Sequence, residues 1–189
     1  DAVILPNETV VDVAIDNGFT YLTAAVTTAE LLPALTNPFG TFTVFAPDNA
    51  AFDNLATALG TDINGLLELP NLGDILLYHA LSTETLSGDL SNGLLVTPIN
   101  DANTIKVTVT NDDMVFTNQA MVTLANVEAD NGVVHAIDAV ILPNETVVDV
   151  AIDNGFTYLA AAVTTAELLP ALTNPFGTFT VFAPNNAAF

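Results

Sequence analysis

The chain contains an internal repeat that is almost identical in its two copies. Residues 1–52 recur as residues 138–189, and the copies differ only in Ala160 for Thr23 and in Asn185 for Asp48. Residue 138 corresponds to residue 1, so the offset is a constant 137 residues without a gap. Self-similarity at a fixed period is typical of a tandem array of one folding unit. We therefore expect a protein built from 137-residue units, and function must be assigned to an array of domains.

The period has the size of one domain. A unit of 137 residues can bury its own core, and 51% of the residues are hydrophobic. We predict that residues 1–6 end the last strand of a preceding repeat, that residues 7–143 form a complete domain, and that residues 144–189 are the first third of the next repeat. No Gly/Ser-rich or Pro-rich linker separates the copies, so the inter-repeat junction should restrict the angle between neighbours. The junction residues are Pro143, Asn144, Glu145 and Thr146.

The charge balance is strongly acidic. Twenty-two Asp and Glu residues face one basic residue, Lys106, and the net charge is −21. Binding to nucleic acid or to anionic membranes needs clustered Lys and Arg, so both classes are excluded. No apolar run is long enough for a membrane span in this window. Absence of Cys excludes disulfides and thiolate chemistry, and a polar surface of mainly Thr, Asn and Asp favours an extracellular or cell-surface location.

The first half of the period has helical patterning. Thr9 with Asp12 three residues later predicts a capped helix, which Asn17-Gly18 ends. A second helix should begin at Thr20 and run through Leu32, limited by Pro33. Further predicted elements are a short buried strand over residues 41–45, a helix that begins around Asp48, and a helix over residues 71–79.

The second half has strand patterning. Ile105, Val107 and Val109 alternate with polar residues, which indicates a half-buried strand, and Asn131-Gly132 is a hairpin signal. Helices followed by strands predict an α+β domain with helices packed on an antiparallel sheet or sandwich. Further strand candidates cover residues 94–96, 114–117, 121–127 and 133–142.

Three segments, in this order and spacing, resemble the fasciclin domain. They are TFTVFAPDNAAF at 41–52, ILLYHA at 75–80 and NGVVHAIDAVILP at 131–143, and the opening TVVDVAIDNGFTYL at 9–22 is also similar to that family. The resemblance covers residues 8–143. It implies an α+β fold: a wedge-shaped antiparallel β-sandwich with N-terminal helices packed on it, in tandem repeats. It also implies extracellular adhesion or matrix assembly, without a catalytic site or an obligatory cofactor.

The resemblance marks a Tyr-His pair. In some animal members this pair is linked to receptor binding, and the matching residues here are Tyr78 and His79, a candidate adhesion or structural motif. His79 and His135 are the only histidines. We interpret both as structural residues that hydrogen-bond nearby backbone, since metal sites need three or four suitably spaced ligands.

Other residues with reactive or binding chemistry do not form a recognisable motif. The three serines, Ser82, Ser87 and Ser91, lack a nucleophile elbow, so we expect no enzyme. The acids at 112–113 and 128–130 lack the alternation of an EF-hand loop. They are interpreted as solvated turns, and weak bridging by calcium or another divalent cation between repeats remains open.

Two Asn-Glu-Thr sequences match the glycosylation pattern. They begin at Asn7 and Asn144, at the repeat junction. Helix capping by Thr9 is the preferred explanation of the threonine, and glycosylation stays open.

Phenylalanines cluster in the repeated segment. We predict that Phe39, Phe42, Phe45 and Phe52 form core, because aromatic side chains at these spacings pack inside domains. Their copies lie in a segment that lacks the rest of its domain, and an apolar face without its partners needs a contact elsewhere. The inter-domain or inter-chain packing candidates are Phe176, Phe179, Phe182 and Phe189.

These observations predict an extracellular structural or adhesion protein whose tandem fasciclin-like domains assemble into a fibre or surface filament. Its partners would be identical repeats of the same or neighbouring chains. Identity at 50 of 52 positions favours one long polypeptide of many repeats. Complementation, in which residues 144–189 of one chain complete a domain in another, is the second route. The alternative function is an adhesive binding module for a carbohydrate or a cell-surface receptor.

Overall fold

A computed structural model describes residues 8–100, 103–143, 147, 151, 156–166, 168, 172 and 179–188. The chain divides into two compact units, residues 1–143 and 144–189. In the described part of the first unit, the helices are α1 (Val10–Asp16), α2 (Thr20–Thr28), α3 (Leu32–Leu35), α4 (Asn49–Leu59), α5 (Ile63–Leu67) and α6 (Leu72–Tyr78). The strands are β1 (Phe42–Pro47), β2 (Ala80–Leu81), β3 (Leu95–Val96), β4 (Ile105–Val109), β5 (Val115–Thr117), β6 (Ala120–Ala129) and β7 (Gly132–Ile137).

The predicted cap of α1 is confirmed. The Thr9 hydroxyl oxygen accepts from the Asp12 backbone N–H at 3.4 Å, and the Asp12 carboxylate accepts from the Thr9 N–H at 2.9 Å. This reciprocal capping box satisfies two donors that the first helical turn leaves open. The helix ends before Gly18, whose φ of +79° is readily adopted only without a Cβ.

The second predicted helix is shorter than its spacing suggests. α2 ends at Thr28, because Glu30 turns into the left-handed region with φ +56°. The Leu31 N–H then donates to the Val26 carbonyl at 3.0 Å and closes the helix. Pro33 lies in the first turn of α3, where its missing N–H has no intrahelical partner to lose. Pro33 therefore begins a new helix and does not end the previous one.

The strand and helix that follow are confirmed, with one addition. β1 leads directly into α4, whose N-terminus is capped by the Asp48 carboxylate accepting from the Ala51 N–H at 2.7 Å. The five-residue helix α5 is not predicted from the sequence. It is too short for a helical period to be visible, and it depends on a local cap by Asp62, which accepts from the Gly65 N–H at 3.0 Å.

The seven strands of the described residues form one sheet in the order β2-β1-β7-β6-β5-β4-β3. The α+β class is confirmed, with the helices packed on this sheet. The wedge-shaped antiparallel sandwich needs one correction, because β1 and β7 pair in parallel, from Phe42 opposite Gly132 to Pro47 opposite Ile137. Parallel neighbours require a long crossover, and here residues 48–131 connect the two strands. β7 also ends at Ile137, earlier than predicted.

Side-chain alternation in the two central strands builds a core on each face of the sheet. Val44 and Val134 join the larger cluster, which the helices cover. Phe45 and Ile137 face the opposite side and pack with Tyr78 in the smaller cluster. The period of two along each strand explains this division.

One predicted core residue is on the surface. Phe39 is 95% exposed, whereas Phe45 and Phe52 are buried as predicted and Phe42 is half-buried against the core. Phe39 occupies a tight turn in which the Asn37 side chain accepts from the Phe39 N–H at 3.0 Å. The turn orients the ring outward, which spacing along the chain does not reveal.

The second unit repeats part of this local structure. Helix α7 (Thr157–Thr165) corresponds residue for residue to α2, and a short 3-10 helix covers Asn186–Ala188. The Tyr158 N–H donates to the Asn186 side chain at 3.2 Å, as the Tyr21 N–H does to Asn49 at 3.1 Å in the first unit. Residues 179–185, by contrast, carry no regular secondary structure.

Candidate functional site

The Tyr78-His79 pair lies where α6 ends and the chain turns into β2. Both side chains are almost completely buried. The Tyr78 hydroxyl donates to the Thr104 carbonyl at 3.2 Å and accepts from the Asn118 side-chain amide at 3.2 Å. The pair therefore joins α6 to the residues before β4 and after β5, and neither ring is on the surface.

His79 uses both ring nitrogens. Nε2 accepts from the Ile141 backbone N–H at 2.9 Å, so the ring proton is on Nδ1, which donates to the Ile75 carbonyl at 2.8 Å. Desolvation by burial lowers the pKa of His79 to about 4, and the hydrogen bond to Ile75 opposes this shift. The neutral ring connects α6 to the segment that follows β7.

His135, in the middle of β7, is held in a similar way. Its Nε2 donates to the Thr85 carbonyl at 2.9 Å, and its Nδ1 accepts from the Asn126 N–H at 3.3 Å. The ring also stacks on Phe45, with centroids 5.7 Å apart. Burial lowers the pKa of His135, with a smaller opposing contribution from the bond to Thr85.

These contacts limit the chemistry of both histidines. A metal ligand or a general base needs a free nitrogen lone pair, and each acceptor nitrogen here already binds a backbone N–H. Within the ranges that the structure describes, no three His, Asp or Glu side chains are grouped to hold a metal ion. Both histidines bond backbone groups, as the sequence interpretation expects.

The buried side-chain amide of Asn131, which the sequence predicts only as a turn residue, organises the start of the domain. The Asn131 side-chain oxygen accepts from the Val10 N–H at 2.8 Å. Its amide nitrogen donates to the carbonyls of Leu35 at 2.8 Å and Asn37 at 3.1 Å. Asn-Gly is also the typical sequence of an exposed hairpin turn. The sequence alone therefore does not show that the Asn131 side chain is buried and bonded to the backbone.

The junction and packing candidates fall partly within the described residues. Pro143 is half-buried, and its carbonyl accepts a hydrogen bond from the Asn103 side chain. Phe179 and Phe182 are exposed. The other candidates and both glycosylation positions lie outside the described residues: Asn7, Asn144, Glu145, Thr146, Phe176 and Phe189.

Phe39 is an exposed aromatic side chain on an ordered turn of the first unit. Phe39 projects from a turn whose backbone is bonded to the buried Asn131 through the Asn37 carbonyl.

No helix among the described residues is both long and apolar enough to cross a bilayer.

Comparison with known proteins identifies the family of the chain. The family described as Fasciclin domain matches residues 17–143 and 154–189. Protein sll1483 of Synechocystis is 42% identical over 140 residues, which is 71% of this chain and 73% of that protein. Human periostin is 34% identical over 154 residues, which is 79% of this chain but only 18% of periostin. A FAS1 domain pair from the insect cell adhesion molecule fasciclin I aligns with 86% of this chain and 54% of its own, at 22% identity and a TM-score of 0.49. The chain belongs to the fasciclin-domain family.

Proposed function

We propose that this chain is part of an extracellular structural and adhesion protein whose tandem fasciclin domains assemble into a fibre or surface filament. The observation that carries the proposal is the 137-residue repeat, identical at 50 of 52 positions. The family match falls in both copies, over residues 17–143 and 154–189. Two matches in one chain, without a flexible linker, favour an array of connected domains.

The proposed mechanism is mechanical. Each domain is a folded spacer, short junctions set the angle between neighbours, and contacts between neighbours carry the assembly. The net charge of −21 limits lateral association between these like-charged surfaces. Membership of the fasciclin family favours adhesion over catalysis, and the engaged nitrogens of His79 and His135 support a role without chemistry.

The mass of the native protein tests how the array is made. Material from the producing cells is boiled in SDS and separated on a gel, with detection by an antibody against this chain. One long polypeptide of many repeats predicts a band far above the 19.7 kDa of the chain. A band near that mass would contradict the covalent array.

Location is tested separately. Immunogold labelling of intact cells with the same antibody should decorate extracellular filaments or the cell surface. Label confined to the cytoplasm of sectioned cells would contradict the proposed function, whatever the mass on the gel.

The binding-module alternative is favoured by one observation, the exposed ring of Phe39 on an ordered turn. Aromatic side chains held on rigid turns make effective contact anchors for sugars and proteins. Changing Phe39→Ser together with its copy Phe176→Ser should abolish attachment to glycans or cells but leave filaments and stability unchanged. Met114→Ser, at another exposed apolar residue, is the matched control. Unchanged attachment in the double variant would remove this alternative.

A further inference from the structure

One face of the sheet is not covered by the rest of the described domain. Ile105 and Val107 on β4 and Thr117 on β5 are fully buried, so the residues that alternate with them point to the other side. Those residues belong to neither core cluster, and Leu95 on β3 is 58% exposed. We call this surface the lysine face, and its residues are Leu95, Lys106, Thr108, Phe116 and Met121.

The side chains of the lysine face are neighbours across four strands. Lys106 lies opposite Leu95, which is on the edge strand β3. Phe116 lies opposite Thr108 on one side and opposite Met121 on the other. Side chains directly opposite each other have Cβ atoms about 4.5–5.5 Å apart. The lysine face is therefore a continuous, mainly apolar surface that contains one charged group.

The charge on the lysine face is opposite to that of the rest of the chain. Lys106 is the only basic residue, against 22 acidic ones, and β3, β4 and β5 contain neither Asp nor Glu. Among the described residues, no carboxylate forms an ion pair with Lys106. The acids at its border are residues 112–113, in the turn before β5, and Asp138, which accepts from the Met121 N–H at 2.7 Å. The ammonium group is thus available to a carboxylate from outside the domain.

The exposed side of α1 has the complementary chemistry. Four residues of this helix are buried in the domain, and the three that face solvent are Asp12, Ile15 and Asp16. Ile15 is 51% exposed. Residues three or four apart are neighbours on a helix surface, so the apolar side chain of Ile15 lies beside two carboxylates. We call these three residues the α1 face.

We propose that the lysine face of one copy of the domain binds the α1 face of a second copy. Ile15 packs against Leu95 and Phe116. The ammonium group of Lys106 pairs with a carboxylate of the α1 face. This inference rests on the proposed function only in taking neighbouring copies of the domain as the partners.

Charge favours a second copy as the occupant of the lysine face. Copies with a net charge of −21 repel each other, and like charges that meet at an interface weaken binding. A contact that places the one basic residue against carboxylates avoids this repulsion. The α1 face supplies both carboxylates and an exposed apolar side chain, so it matches the charged and the apolar parts of the lysine face.

Two different surfaces meet in this contact, so it is heterologous. Each copy keeps one free lysine face or one free α1 face at the end of an assembly, and further copies can add there. The apolar area is small, so a single contact is weak. In an array of linked domains, weak contacts between neighbouring chains reinforce each other through their high effective concentration. Repulsion over the rest of the acidic surface then restricts pairing to this one arrangement.

The single lysine permits a specific cross-linking test on the full chain. A carbodiimide activates a carboxylate, and an amine in contact with that carboxylate then forms an amide bond, while the carboxylate oxygen leaves in the urea by-product. Concentrated protein should give dimers and larger species, in multiples of 19.7 kDa, on a denaturing gel. Lys106→Gln is the control. It should remove these species, because it leaves only the terminal amine.

Isotope mixing shows which carboxylates take part. A mixture of unlabelled and heavy-isotope-labelled chains is cross-linked, digested and analysed by mass spectrometry. Peptides that join Lys106 to Asp12 or Asp16, or to their copies Asp149 and Asp153, should carry mixed labels. The absence of a Lys106 cross-link, cross-links within one molecule only, or cross-links only to other carboxylates would overturn the proposal.

A charge exchange tests the same pair without cross-linking. Lys106→Glu should weaken self-association at least about tenfold, measured by sedimentation equilibrium. Adding Asp16→Lys with its copy Asp153→Lys should restore association, and a lysine at the end of α1 suits the helix dipole. The control, Lys106→Glu with Asp53→Lys and Glu84→Lys, has the same net charge as the restored variant but should stay weakened. Equal association of these two variants would contradict the pairing.

The apolar part of the contact has its own matched variants. Leu95→Ser should weaken self-association about tenfold, because it removes a large apolar side chain from the interface. Leu124→Ser, at a leucine that is 47% exposed outside both faces, should leave association unchanged, and urea unfolding shows that each variant is folded. Equal losses, or no loss with Leu95→Ser, would overturn the contact. Such a failure would leave the gel-mass and immunogold tests of the proposed function unaffected.

Discussion

At the scale of single residues, the two histidines serve as connectors between segments. Each ring accepts a backbone N–H on one nitrogen and donates to a backbone carbonyl on the other. Such a ring satisfies both partners only when it is neutral, because a protonated ring has no lone pair to accept with. Their protonation is therefore coupled to the stability of the domain.

We predict that His79 makes the domain less stable as the pH falls. Burial lowers the pKa of His79 from 6.5 to about 4. Between pH 4 and pH 6.5, His79 is therefore protonated in the unfolded chain but neutral in the folded chain. The contribution of His79 is complete above pH 6.5 and is lost as the pH falls towards 4, by about 3 kcal/mol. Urea unfolding of the wild type and His79→Gln should show this component only in the wild type. His135→Gln, which keeps His79, should retain it, and equal pH profiles for the wild type and His79→Gln would contradict the assignment.

At the scale of elements, the parallel pair of β1 and β7 connects the start of the domain to its end. Gly132 begins β7 with φ +150°, opposite Phe42. A Cβ at Gly132 would lie 2.0 Å from the Phe42 carbonyl oxygen. The two strands can approach this closely only because residue 132 has no side chain.

We predict opposite effects for two Gly→Ala substitutions. Gly132→Ala should destabilise the domain by about 2–4 kcal/mol, because it forces β1 away and strains the backbone. Gly73→Ala, in α6, meets no atom within 4 Å and should stabilise by up to about 1 kcal/mol through helix propensity. Urea unfolding of both variants measures the difference. Similar losses in the two variants would show that the contact between Gly132 and Phe42 is not the cause.

At the scale of the whole molecule, the dominant property is charge. A chain with 22 acidic groups and one basic group repels itself most strongly in the compact state. Neighbouring repeats in an array carry the same charge, so repulsion also acts between domains.

We predict that salt stabilises the protein. Raising NaCl to about 1 M shortens the Debye length to about 3 Å, so repulsion between surface carboxylates is screened and the urea midpoint should rise. Calcium chloride at equal ionic strength is the comparison. The same rise indicates screening alone, and a larger one indicates bridging by the divalent cation. A midpoint that stays constant or falls with NaCl would contradict the prediction.

Part of the fold can be predicted because its causes are local. The cap of α1 depends on Thr9 and Asp12, three residues apart, and the cap of α4 on Asp48 and the turn after it. The helix break at Glu30 and the short helix α5 also have local causes. The segments involved are too short for a helical period to be visible in the sequence. The outward turn of Phe39 depends on one hydrogen bond that the Phe39 N–H donates to the Asn37 side chain, which spacing does not reveal.

The repeat, the domain period, the acidic surface and the order of helices and strands follow from the sequence, because each is a property of neighbouring residues or of self-similarity. The parallel pairing of β1 with β7, the buried rings of Tyr78 and His79, and the Asn131 contacts follow only from the tertiary structure. Each of these joins residues that are far apart in the chain, as Asn131 joins Val10 across 121 positions.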